Sequence, residues 1–204
     1  MLGIFRQKNQ KENTQIKQKN NMEHYYNKLE HWFDYEDVFL EAIQKAKDGD
    51  QFVEIGVWKG GSAAFMGVEI SNSGKQIRYD AIDCFAPTQE FGQLTADIYE
   101  EAKLNLKPLT DLGLVNLIKA HSLDVVSNYE DNSLSLVFID GSHTYEDVKA
   151  DLLAWLPKVK SGGMLAGHDY GSTYHVGVYP AVGDVLGNDN VRKTRHSSFV
   201  YIKK

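Results

Sequence analysis

Phe52-Val53-Glu54-Ile55-Gly56-Val57-Trp58-Lys59-Gly60-Gly61-Ser62 carries the chain from an apolar run through a glycine-rich turn toward a helix. Gln51 to Val57 reads as a buried strand, and the glycines that follow permit close backbone approach. Ser62 is placed to cap the next helix. In a doubly wound sheet a turn of this kind lies beside the switch point where ligands bind, so it is read as a cofactor loop. The spacing is E-x-G-x-x-x-G-G-S rather than the dinucleotide G-x-G-x-x-G. Trp58 puts a bulky side chain where a pyrophosphate needs bare backbone, which favours a cofactor without one. Asp83 ends the next strand, about 20 residues past the glycines, the distance at which an acidic side chain accepts from a ribose diol. Taken singly, the loop could be a structural turn and Asp83 a cap.

Outward from this unit, helices and strands alternate. Ser62 to Ser71 and Gln93 to Leu106 have helical patterning, with Arg78 to Asp83 and Val115 to Ala120 as strands. A short helix is expected from Leu123 to Tyr129, a strand from Leu134 to Asp140, an amphipathic helix from Tyr145 to Leu156 stopped by Pro157, and a strand from Gly163 to Gly167. A helix around Val178 to Leu186 precedes strands at Val191 to His196 and Ser198 to Ile202, whose link is too short for a crossover and requires an antiparallel pair. The fold class is therefore α/β: a doubly wound, Rossmann-like, mostly parallel seven-stranded sheet with an antiparallel C-terminal pair and helices on both faces. Upstream, apolar residues from Tyr25 to Ala46 recur at helical spacing with a break near Asp34, predicting two helices that lead into the domain.

The 204 residues suit one domain, 22–204, with an attached arm. Residues 1–21 are rich in Lys, Gln and Asn and poor in large apolar groups, so they read as a flexible basic arm, either a solvated tail or a tether to nucleic acid or acidic membrane. A net charge of −6 argues against nucleic acid as the main partner and for a small molecule. The single cysteine, Cys84, rules out an internal disulfide framework, no apolar run approaches membrane-spanning length, and Met1 to Phe5 is too short for a signal peptide's apolar region. A cytoplasmic location is the expectation. Oligomeric state is open, a homo-oligomer included.

The chain resembles the class I S-adenosylmethionine-dependent methyltransferases through F-V-E-I-G-V-W-K-G-G-S at 52–62, A-I-D-C-F at 81–85 and L-V-F-I-D-G-S-H-T-Y-E-D-V-K-A-D-L at 136–152. It is similar, more narrowly, to the macrolide-sugar O-methyltransferase and cephalosporin-hydroxylase-like subgroup, with Gly162-Gly163-Met164-Leu165-Ala166-Gly167-His168-Asp169-Tyr170 as the second strand-end element. The resemblance implies S-adenosylmethionine as cofactor and O-methylation of a small polar acceptor such as a sugar or glycan. Under it Glu54 faces the methionyl ammonium, Gly56, Val57, Trp58, Lys59, Gly60, Gly61 and Ser62 wrap the methionyl end, Asp83 holds the ribose, and Ser122 neighbours the adenine.

Asp140 and Asp169 fall at the carboxyl ends of strands expected to be adjacent, and two such carboxylates could hold a divalent ion such as magnesium. Metal-dependent relatives carry an acidic pair where this chain has His168-Asp169. His168 is then either a ligand, favouring a transition metal, or a group that orients Asp169. Capping of nearby turns is the alternative for both carboxylates. His143 is the candidate base for the acceptor proton, with helix capping as its alternative. His24, His31, His121, His175 and His196 carry no expected catalytic role. Tyr174, Tyr179 and Trp155 could stack on an acceptor, although helical spacing with Val148 and Leu152 puts Trp155 in the core. An NAD-type oxidoreductase and a non-catalytic cofactor-binding module are the rival functions. Removal of residues 1–21 should leave the melting temperature within a few degrees, since such a composition supports little packing; a large fall would show that the arm docks on the domain.

Overall fold

The computed structural model describes residues 21–86 and 97–204. Nearly all of the arm and the start of the helix expected from Gln93 lie outside the described residues.

Among the described residues seven strands form one sheet: β1 (Gln51–Ile55), β2 (Arg78–Asp83), β3 (Asn116–Lys119), β4 (Leu134–Ile139), β5 (Val159–Gly167), β6 (Arg192–Lys193) and β7 (Phe199–Ile202). Their order is β3-β2-β1-β4-β5-β7-β6. β1 through β5 run parallel, while β7 pairs antiparallel with both β5 and β6. Helices α1 (Glu36–Lys45), α2 (Gly61–Ser73) and α3 (Ile98–Thr110) cover one face. α4 (Ser122–Val125), α5 (Tyr145–Trp155) and α6 (Val178–Leu186) belong to the other. The expected architecture is observed, and the chain reverses its winding between β1 and β4, a switch point of the kind at which open α/β sheets commonly form a ligand crevice.

Both faces of the central strands are buried, so β1 and β4 read as near-continuous apolar runs rather than alternating ones. Phe52, Phe138, Met164 and Val200 pack under α1 and α2, while Val53, Val137, Leu165 and Phe199 pack under α5 and α6. Trp155 is fully buried with the second group, as its helical spacing implied, and so takes no part in stacking on an acceptor.

Three local expectations are corrected. Residues 24–33 are not a helix: a 3-10 turn at Tyr26–Lys28 leads into an extended strap that runs to α1. Their apolar spacing arises from packing on α2, where the rings of His24, Tyr26 and Phe33 all meet Phe65. The strand expected over 191–196 shrinks to Arg192–Lys193, because His196 and Ser197 adopt left-handed φ values of 52° and 62°. β5 starts earlier than Gly163, and its pairing with β4 jumps from Leu134↔Val159 to Leu136↔Met164 across an irregularity that includes Gly162 at φ +75°.

Gly56 is where β1 and β4 meet most tightly. It has φ +88°, and a β-carbon there would lie 2.0 Å from the Asp140 carbonyl oxygen, which leaves no room for a side chain. Gly74 shares a positive φ of +67° yet has nothing within 4 Å of such an atom. Gly74→Ala should therefore cost about 1 kcal/mol, the scale of left-handed strain. Gly56→Ala adds a backbone collision and should cost more than about 3 kcal/mol, or abolish cooperative folding, in urea unfolding. Equal midpoints for the two variants would contradict this account of the β1–β4 junction.

Candidate functional site

The site forms where the sequence places its polar residues, at the carboxyl ends of the parallel strands. Five of the six described non-glycine residues with positive φ lie at this edge, among them Trp58, Phe85 and Asp169, a concentration of strained backbone typical of functional sites.

After β1, the glycine loop is held from two sides. Asp83 Oδ2 accepts from the backbone N–H groups of Val57 and Trp58, both at 2.8 Å, and its Oδ1 accepts from Phe85 N at 2.6 Å. Asp83 therefore first braces the loop. Of the four acceptor positions on a carboxylate these contacts use three, which among the described residues leaves one. From the other side, the strap stacks Trp32 on Trp58, with ring centroids 4.0 Å apart, and Glu30 pairs with Lys59 at 2.6 Å. Lys59 also meets Glu101 of α3 at 3.0 Å, so its ammonium is committed to ion pairs. Gly61 makes room for the strap, since a β-carbon there would come within 2.4 Å of His31 Cβ.

Ser62 does not cap α2: the N-cap is Gly60 in the left-handed region, with no side-chain cap. Ser62 is buried at the second helical position, beside the carboxyl of Glu54. Glu54 is itself fully enclosed; Tyr79 Oη donates to its Oε2, and among the described residues Oε1 has no hydrogen-bond partner. Burial raises the Glu54 carboxyl to about 8, against the lowering effect of Ser62 and Tyr79, so it holds its proton near neutral pH. An unpaired buried oxygen next to a glycine loop is a ready acceptor for a ligand's cationic donor.

Asp140 follows β4 and Asp169 follows β5, with His143 and His168 between them. His143 Nε2 lies 3.0 Å from Asp169 Oδ2 and 4.0 Å from Asp140 Oδ1. His168 Nδ1 lies 3.4 Å from Asp169 Oδ2 and 3.8 Å from Asp140 Oδ1. Neither carboxylate caps α5, a role taken by Thr144 through Asp147 N at 3.2 Å. His143 does not cap it either.

Sequence reasoning missed four members of this cluster. Tyr35 Oη donates to Asp140 Oδ2 at 3.0 Å, and Asp34 Oδ1 sits 3.1 Å from His168 Nε2. The same nitrogen is 2.6 Å from the His196 carbonyl oxygen. His175 packs against His143 with the rings tilted by 32° and their centroids 3.8 Å apart, and its Nε2 lies 3.9 Å from Asp169 Oδ1. Asp34 and Tyr35 come from the strap, and His196 from the β6–β7 connection. No spacing rule links such segments to residues 140–169, whereas His175, six positions past Asp169, was within reach of a search for ligand clusters.

The like charges of Asp140 and Asp169 are offset by imidazoles. Burial pulls His143 and His168 down, but hydrogen bonds and charges from Asp140 and Asp169 reverse this and raise them to about 10 and about 9. Burial works the other way on Asp169, yet the two histidines hold it well below the usual carboxylate range. Among the described residues two donor sets are compact enough for a metal ion: Asp140, His168 and Asp169, and His143, Asp169 and His175. Mixed imidazole and carboxylate ligands suit a transition metal better than magnesium, which prefers oxygen. An ion bound there would have to displace imidazole protons, so affinity should rise with pH.

A histidine with a raised folded-state pKa contributes stability that is complete below the unfolded value near 6.5 and is lost as pH climbs through the folded value. Metal-free protein should therefore lose stability between about pH 6.5 and 10. In His143→Gln the fall in melting temperature across that range should be visibly shallower. Identical slopes would mean that the imidazolium–carboxylate pairing does not form in solution.

Comparison with known proteins bears on this geometry. The family model described as "Methyltransferase domain" matches residues 53–170, from the second half of β1 through Tyr170. A curated relative, uncharacterized protein y4gI of Sinorhizobium fredii, is 30% identical over 92 residues, 44% of this chain; the match spans only a tenth of that longer protein. The O-methyltransferase NovP shares the fold with a TM-score of 0.61 at 16% identity, covering 82% of this chain and 78% of its own. CalS11, a TDP-rhamnose 3'-O-methyltransferase, does so with a TM-score of 0.57 at 17% identity, over 81% and 76%. Cofactor-bound Rv0187 from MTB gives 0.60 at 15% identity, over 84% and 82%. Among the described residues no helix is long and apolar enough to cross a membrane. The oxidoreductase alternative is set aside: with more than half of its length matched by that model, the chain belongs to the methyltransferase domain family.

Proposed function

We propose that this methyltransferase uses S-adenosylmethionine and methylates a hydroxyl of a small polar acceptor, a sugar hydroxyl being the leading candidate. The observation that carries the reading is the convergence of Asp140, His143, His168 and Asp169 beside a glycine loop that follows β1 and its Glu54 Oε1 atom, unpaired among the described residues. Glu54 Oε1 would accept from the methionyl ammonium, whose charge favours the ionised carboxylate. The backbone of Gly56 to Ser62 would surround the methionyl end, and the remaining acceptor position of Asp83 would take a ribose hydroxyl.

When bound, the cofactor supplies a methyl group already activated by a sulfonium centre. The chain's own work is alignment and proton acceptance. Asp169 orients His143, but while both carboxylates hold it in the imidazolium form His143 has no free lone pair for a proton. It becomes a base only when positive charge elsewhere in the cluster lowers its pKa. A cation held by Asp140, His168 and Asp169 would supply that charge and polarise an acceptor oxygen. Trp32, exposed and stacked on Trp58, offers an aromatic face for the apolar side of a sugar ring.

Calorimetry with S-adenosylhomocysteine should show saturable binding, and tighter binding of NAD would sink the cofactor assignment. Methyl transfer to a panel of sugar nucleotides should then identify an acceptor. With it, chelation or Asp169→Asn should abolish turnover while sparing S-adenosylhomocysteine affinity. His143→Ala should slow the reaction by roughly 100-fold or more, the scale of lost general-base catalysis. Full activity in excess chelator would remove the metal from the mechanism, and an unchanged rate in His143→Ala would remove the base.

A further inference from the structure

A second buried carboxylate lies near this edge of the sheet, and the methyl-transfer chemistry does not use it. Asp151, on α5, is 7% exposed, and Ser122 Oγ donates to its Oδ1 at 2.5 Å. Burial raises Asp151 to about 6, with Ser122 and the nearby His121 opposing and Asp147 assisting, so it is ionised at neutral pH. An ionised carboxylate only accepts. The Ser122 hydroxyl must therefore spend its one hydrogen on Asp151, and toward anything else it can only accept.

Ser122 is half-buried just past the end of β3. Lys119 pairs in register with Asp83, and Ala120 N donates to the Asp83 carbonyl at 2.9 Å, so the β3 end adjoins the proposed ribose position. Neighbouring strands are about 4.8 Å apart, which puts the β3 end about 10 Å from the β1 end. In a ligand whose methionyl end rests on the loop after β1 and whose ribose meets Asp83, the purine lies on the side away from the methionyl group, toward β3.

Building on the cofactor reading above, we propose that Asp151 is a positioning residue for purine selection: by holding the Ser122 hydroxyl hydrogen it leaves an acceptor-only group that admits a 6-amino purine and rejects a 6-oxo purine. An adenine amino group can donate to such an oxygen, whereas a hypoxanthine carbonyl meets it lone pair to lone pair. Asp151→Asn keeps the volume but supplies an amide that can donate to Ser122, freeing the hydroxyl to donate in turn.

The test is calorimetry of the full chain with S-adenosylhomocysteine and S-inosylhomocysteine. The unaltered protein should prefer the adenosyl ligand by about 10-fold or more, as expected when a polar group faces a mismatched partner. Asp151→Asn should reduce that ratio by about 10-fold, Ser122→Ala should do the same, and combining them should add nothing. A pair that merely pins α4 to α5 would weaken both ligands in parallel and leave the ratio unchanged, which overturns the proposal. Should Asp151→Asn fail to fold, Ser122→Ala decides the matter by the same ratio. Equal binding of both ligands by the unaltered protein overturns this inference alone, while binding of neither overturns the cofactor reading as well.

Discussion

The approach of the Asp140 carbonyl to Gly56 is the contact on which the rest of the site depends. The two strands that meet there are those between which the sheet reverses its winding, and their ends stay in step because Asp140 N donates to Ile55 O at 2.7 Å. Only a residue without a side chain can occupy position 56, so the loop leaving β1 begins with a left-handed turn rather than continuing the strand. That turn sends the following N–H groups toward Asp83 and leaves the Asp140 side chain at the crevice. One steric constraint thus sets both the glycine loop and the first carboxylate of the acid–histidine cluster.

The strap from His24 to Tyr35 ties these parts together. Its aromatic residues pack on Phe65 of α2, Trp32 covers Trp58, Glu30 engages Lys59, and Asp34 and Tyr35 reach His168 and Asp140. The exposed ion pairs contribute little by themselves, since screened surface pairs are commonly worth under about 1 kcal/mol. The aromatic packing carries the stability, and the polar contacts fix the register in which the strap crosses the strand ends. Glycine at position 61 matches this arrangement, because the strap passes where a β-carbon would be.

The charges of Asp140 and Asp169 are offset within the cluster instead of being left to solvent. Asp140 and Asp169 face two imidazoles that keep their protons, a closed arrangement in the absence of ligand. Proton, metal and substrate would all compete for the same few lone pairs, which couples any metal occupancy to the protonation of His143. Glu54 is poised in the opposite sense: neutral while buried alone, it gains from a cationic partner at Oε1. The two ends of the crevice therefore differ in charge preference before anything binds.

The alternation of apolar runs and helical patterns was enough to predict the sheet, its switch point and the antiparallel close, because strand burial and crossover geometry are written in local periodicity. The strand-end motifs likewise placed Asp140, His143, His168 and Asp169 together. Three things escaped that reading. The strap has helix-like spacing but is extended, since its aromatic side chains answer to Phe65 and not to a helix axis. Asp83 was assigned to a ligand, but its carboxylate first serves the N–H groups that the turn at Gly56 leaves unpaired. Asp34, Tyr35 and His196 join the cluster from segments with no fixed spacing to it, His175 lies close in sequence but was given no role, and Ser122 meets Asp151 across 29 residues. Local sequence determined which elements form and which residues stand at strand ends; the tertiary structure alone decided which side chains meet there, because contacts between distant segments follow from packing and carry no periodicity of their own.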